Sequence, residues 1–220
     1  MRNFIVLIIA ICGLTACQEA PKADKAKVTD AQIVETGTGH PYVVDTLTSR
    51  VAWVGTKPTG KHQGYFKLLK GTIYVKDSAI NGGKFIINMH SLEDTDLAAD
   101  PAMKVKLENE LKGNLFFDVD KYPEATFEIT SVTTFRPAVG DEILMKDATH
   151  TIQGNLTMKD VIKNIAFPAK ISINASEILA SATFNMDRTL WGMTYRADKS
   201  LQDKLINSMV NITFTIKAAR

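Results

Sequence analysis

A chain of 220 residues, 45% of them apolar, is long enough for one domain with a sizeable core. Its 26 Lys and Arg nearly balance 24 Asp and Glu, and the formal charge of +2 is too small to argue for a nucleic-acid partner. No basic run with interleaved aromatics occurs. Both cysteines, Cys12 and Cys17, lie in the N-terminal stretch, so no thiol remains for a disulfide, a metal or catalysis in the domain itself.

The chain opens with Arg2 and a nearly unbroken apolar run from Phe4 to Leu14. That run is too short to span a bilayer and reads as the apolar part of a signal peptide. Leu14-Thr15-Ala16-Cys17 has the form of a bacterial lipobox. It predicts removal of residues 1–16 and acylation of Cys17, an anchor that holds firmly when more than one acyl chain is attached. Gln18 after the cysteine fits the periplasmic side of the outer membrane. Residues 17–40 carry Lys, Ala, Asp and Thr with little apolar periodicity, and read as a flexible tether. The folded domain is expected over 41–220.

From Tyr42 the pattern becomes one of short segments with period two, the spacing of strands with one buried face. Val51 and Trp53 share a face in Arg50 to Val54, and Thr56 to Gly64, with a proline and two glycines, reads as a loop. A strand over Tyr65 to Lys76 precedes a turn at Asp77 to Gly83. Lys84 to His90 then puts Phe85, Ile87 and Met89 on one side. One helix is expected at about 100–112: Asp100 is an N-cap, Pro101 suits the first helical position, and Gly113 reads as the residue that closes it. Met103, Leu107 and Leu111 make a narrow apolar stripe along it.

Phe127 and Ile129 alternate in the next strand, and Ile152, Leu156 and Met158 share a face around Gly154. Lys159-Asp160 predicts a tight hairpin to a strand carrying Ile165, Phe167, Ile171 and Ile173, in which Pro168 argues for an edge, a bulge or a break. Ala180, Ala182, Phe184 and Met186 alternate after it. A loop with Trp191, Gly192 and Tyr195 and a short helical turn over Leu201 to Asn207 lead to a last strand with Val210, Ile212, Phe214 and Ile216 on one face. Eight antiparallel strands of this kind form a closed barrel or a two-sheet sandwich, and periodicity leaves both open.

Several segments together resemble the YceI-like family of periplasmic, lipocalin-like proteins that bind polyisoprenoids. The stretch 113–127, GNLFFDVDKYPEATF, is the strongest match. Tyr42-Val43-Val44-Asp45 with Ser49 and Trp53, Lys70-Gly71-Thr72-Ile73, Gly154 to Met158 and Asn185 to Met193 support it in the right order. The sequence departs from the family pattern at Asn88 to Thr95 and at Asp100 to Met103, so head-group preference does not carry over. The resemblance implies an all-β fold, an eight-stranded antiparallel lipocalin-like barrel with one inserted helix. Its interior would hold a polyprenyl chain, a quinone tail or another long-chain amphiphile. Trp53, Phe85, Ile87, Met89, Phe127, Ile129, Leu156, Phe167, Phe184, Met186 and Trp191 are the expected lining. Ala180, Ala182 and Gly154 would leave room.

The same aromatic and methionine residues would also serve as an ordinary core. A filled barrel acting as a non-catalytic envelope-stress or interaction module is therefore the alternative. No Gly-x-Ser-x-Gly elbow, phosphate loop or paired base and nucleophile is present, so neither catalysis nor a cofactor is expected. His40, His62, His90 and His150 are scattered and read as surface or turn residues; no metal is expected. Glu93, Asp94 and Asp96 read as a solvated loop. Lys57, Lys61 and His62 at one loop and Arg188 and Arg196 at another would meet a head group at the barrel mouth or act as surface charge. A homodimer is left open.

Overall fold

The computed structural model describes residues 19–137, 140 and 142–220, so the leader and Cys17 lie outside the described residues. Eleven strands form one sheet: β1 Asp24–Lys25, β2 Lys27–Asp30, β3 His40–Val44, β4 Arg50–Lys57, β5 Gly60–Lys76, β6 Ala79–Asp94, β7 Glu124–Thr134, β8 His150–Met158, β9 Val161–Ile173, β10 Glu177–Asp187 and β11 Met209–Ala219. Strands β5 to β11 pair with their sequence neighbours, and β3 and β4 succeed one another in a single position between β11 and β5. At the break between them Ser49 Oγ accepts from the Lys217 N–H at 3.0 Å. With β9 paired to β10, the ring closes as an eight-stranded antiparallel barrel. Closure removes the exposed edges that a sandwich would keep.

The expected alternation sets the inside and outside of this wall. Ile178, Ala180, Ala182, Phe184 and Met186 of β10 are buried in every second position. The β8–β9 hairpin turns at Lys159-Asp160 with φ of 50° and 60°, the twist that a two-residue connection between strands requires. Two expected loops are strand instead. Residues 56–64 form the end of the β4–β5 hairpin, paired from Arg50↔Lys67 to Lys57↔Gly60, and β6 continues past His90 to Asp94. Apart from Leu92, which is buried, both extensions are polar, glycine or proline, so no apolar alternation marks them in the sequence.

The larger correction concerns residues 17–40, read as a flexible tether. β1 pairs parallel with β10 at Asp24↔Phe184, and β2 pairs antiparallel with β9 from Lys27↔Ala166 to Asp30↔Lys163. Direct pairing of β9 with β10 stops at Lys170↔Ser181, and this segment fills the seam above it. Ala26 is buried, and the Asp24 carboxylate accepts from the N–H groups of Leu144 and Met145, both at 2.9 Å. Pairing of this sort uses backbone groups, so a polar segment forms it without apolar periodicity. Pro168 falls where β9 changes partner from β10 to β2, the position where a missing N–H costs no ladder bond.

The helix, α1, spans Pro101–Lys112, with the Asp100 side chain accepting from the Met103 N–H at 3.1 Å. Gly113 ends it, as expected, in an extended conformation, φ −71° and ψ 175°. No α1 residue is buried. The helix therefore lies over an opening and not in a core. Behind it Phe117 packs edge-on against Phe66 at 5.3 Å, and Phe116 against Tyr195 at 5.6 Å.

Candidate functional site

The inward faces of the strands enclose a cavity of about 530 Å³. The barrel is thus not filled by its own side chains. Trp53, Phe85, Ile87, Met89 and Phe127 lie on its wall, as do Ile129, Leu156, Phe167, Phe184 and Met186. Trp191 does not. It is fully buried, and its Nε1 donates to the Leu156 carbonyl at 3.1 Å. The 3-10 turn Arg188–Trp191 turns the indole into protein, where its N–H finds an acceptor.

Phe167 stacks on Phe184 with centroids 4.2 Å apart, meets Phe214 edge-on at 5.6 Å, and lies 6.1 Å from Phe127. These rings form one aromatic cluster on the cavity wall. Gly154 makes room for Phe127, not for a ligand: a Cβ there would stand 2.3 Å from the ring. Val51 and the inward face of β11, from Val210 through Ile216, also line the cavity, as do Met103, Leu107 and Leu111 of α1. The β11 face was visible in the sequence as strict alternation. That the helical stripe faces the opening was not, because a stripe does not say what it covers.

Polar side chains gather at the mouth. Lys57, Lys106, Arg196 and Lys204 stand on the lining with Glu110, while Lys61 does not reach it. Arg188 is buried, and its guanidinium donates to the carbonyls of Met193, Tyr195, Ile206 and Asn207. It ties together the two ends of the β10–β11 connection rather than serving as surface charge. Burial lowers its pKa from the usual value. On the apolar wall, the buried Trp53 Nε1 has no hydrogen-bond partner.

The reading of Asp94 as part of a solvated loop is corrected as well, while Asp96 does lie in an exposed turn. Asp94 is fully buried, and its Oδ1 accepts from the Leu97 N–H at 2.8 Å. Asp96 accepts from the Gln63 N–H at 2.7 Å and meets His62 Nδ1 at 3.0 Å. Burial, then the neighbouring Asp96, raises the Asp94 carboxyl above the usual range. Asp96 is itself desolvated, yet Gln63 and His62 hold it below that range. The extension of β6 brings these groups to His62, and no spacing within the sequence announces it.

Fold and site together define a closed eight-stranded β-barrel with an apolar interior and a polar mouth. A model of the YceI-like domain matches residues 42–218, and the chain belongs to that family. Among solved structures, BcnA from Burkholderia cenocepacia is similar in fold at 20% identity and a TM-score of 0.58, over 80% of this chain and 99% of that one. A polyisoprenoid binding domain from Saccharophagus degradans, implicated in plant cell wall breakdown, matches at 14% identity and a TM-score of 0.57, over 81% and 97%. At such identities the likeness is one of fold. No curated protein matches the chain in sequence.

Proposed function

We propose that the barrel is a non-enzymatic carrier for an isoprenoid-type lipid, a polyprenyl chain or quinone tail held in the cavity. The observation that carries this reading is the continuous apolar cavity of about 530 Å³, open beneath α1. Each enclosed CH₂ gains roughly 0.8 kcal/mol, so a tail of modest length binds without a polar contact. Membership of the YceI-like family and the polyisoprenoid-binding neighbour support the same class of ligand. The unpartnered Trp53 N–H offers one hydrogen bond to an oxygen of the bound lipid. Cys17, acylated, would anchor the carrier on the periplasmic side of the outer membrane.

Native mass spectrometry of the protein purified from a bacterial host, followed by solvent extraction, tests the reading. A co-purifying long-chain isoprenoid is expected. A lipid-free barrel that also fails to take up a polyprenyl or quinone probe from mixed micelles would refute it. Labelling with radioactive palmitate, compared with Cys17→Ser, tests the anchor separately: incorporation should disappear in the variant.

A further inference from the structure

The turn before α1 folds back on the β4–β5 hairpin and brings three ligand-bearing side chains to one point. His62 comes from β5, Asp94 from the last residue of β6 and Asp96 from the turn beyond it. One ligand atom of each lies within 4.8 Å of the other two. Each carboxylate has one oxygen fixed by a backbone N–H: Asp94 by Leu97 at 2.8 Å, Asp96 by Gln63 at 2.7 Å. That leaves the second oxygen of each to face the third group. For Asp96 it meets His62. For Asp94, whose side chain is wholly buried, no N–H among the described residues donates to Oδ2, and the group beside it is the Asp96 carboxyl.

A buried carboxylate oxygen with no donor is unfavourable and uncommon. The nearby cation does not serve it, since Lys104 pairs with Glu93 at 3.5 Å and Glu108 at 3.8 Å. Backbone ties of this kind are what orient the ligands of a metal in known sites. One imidazole nitrogen with two carboxylate oxygens suits a divalent transition ion of the zinc class, with three protein ligands and an open fourth position. Ca²⁺, which takes six or more oxygens, fits poorly.

We propose that His62, Asp94 and Asp96 bind one divalent transition ion of the zinc class at the rim of the barrel mouth. His62 also lines the cavity, so the open coordination position lies beside its entrance.

Isothermal titration of the metal-stripped full chain with ZnCl₂ tests this, with Co²⁺ substitution to report the ligand type. The expected result is one ion per chain and a cobalt spectrum of nitrogen and oxygen ligands without thiolate charge transfer. His62→Ala and Asp94→Asn should each weaken binding by about tenfold or more, while His90→Ala leaves it unchanged. His62 is partly exposed, so its variant keeps the fold even where the buried Asp94→Asn does not, and circular dichroism checks both. Absence of saturable binding at millimolar Zn²⁺, or binding unaltered by His62→Ala, would overturn the proposal.

Discussion

The Arg188 guanidinium serves four backbone carbonyls of the β10–β11 connection, and Phe116 covers its face at 5.5 Å. Arg188→Met is expected to leave those acceptors unsatisfied and to cost about 3 kcal/mol, read as a lower urea midpoint. Gly154→Ala should push the Phe127 ring aside and cost about 1–3 kcal/mol in the same measurement. Glu93 supplies a pH prediction. The Tyr65 hydroxyl and then Lys104 hold its pKa below the ordinary 4.5. A depressed carboxylate stabilises the fold above the unfolded-state value, and that stabilisation is lost as pH falls through the folded one. The stability advantage of the wild type over Glu93→Gln should therefore be present at neutral pH and vanish in acid, and denaturation series at the two conditions compare them. Its size is small, because Glu93 is 39% exposed and solvent screens the interaction.

Elements differ in how far their own residues announce them. β10 and β11 are readable because each lies wholly against the interior, so every second side chain is apolar. α1 is readable from its cap and Pro101; Asp100→Ala should cost about 1 kcal/mol and speed amide exchange across Pro101–Lys112. The outer halves of the β4–β5 hairpin and β6 were hidden, because apart from Leu92 their residues are polar, glycine or proline and show no alternation. β1 and β2 were hidden for a different reason. Their stability comes from backbone pairing and from one buried carboxylate, and neither leaves a periodic trace. Asp24→Ala removes two charge-assisted bonds to the β7–β8 connection and should lower the unfolding free energy by about 2–3 kcal/mol. Trp191 shows the reverse error: an aromatic among apolar neighbours read as lining is a brace for the wall, settled by where its N–H finds an acceptor.

At the scale of the whole molecule, the cavity exists because the barrel wall is complete while the interior is only partly filled. Ala180 is the small residue on that wall where filling is simplest to test. Ala180→Phe should reduce uptake of a long isoprenoid probe while the unfolding midpoint stays within the usual surface-mutation scatter, measured on the same preparation. The seam above the β9–β10 pairing is filled by residues distant in the chain, Asp24 beside Phe184 and Lys27 beside Ala166. Those pairs bridge some of the longest loops the chain can make, and the entropy of closing them is overcome only after the intervening strands are in place. The Ala26 amide, bonded to Asn185 at 2.9 Å, is where native-state hydrogen exchange would watch the seam between β9 and β10 open and shut.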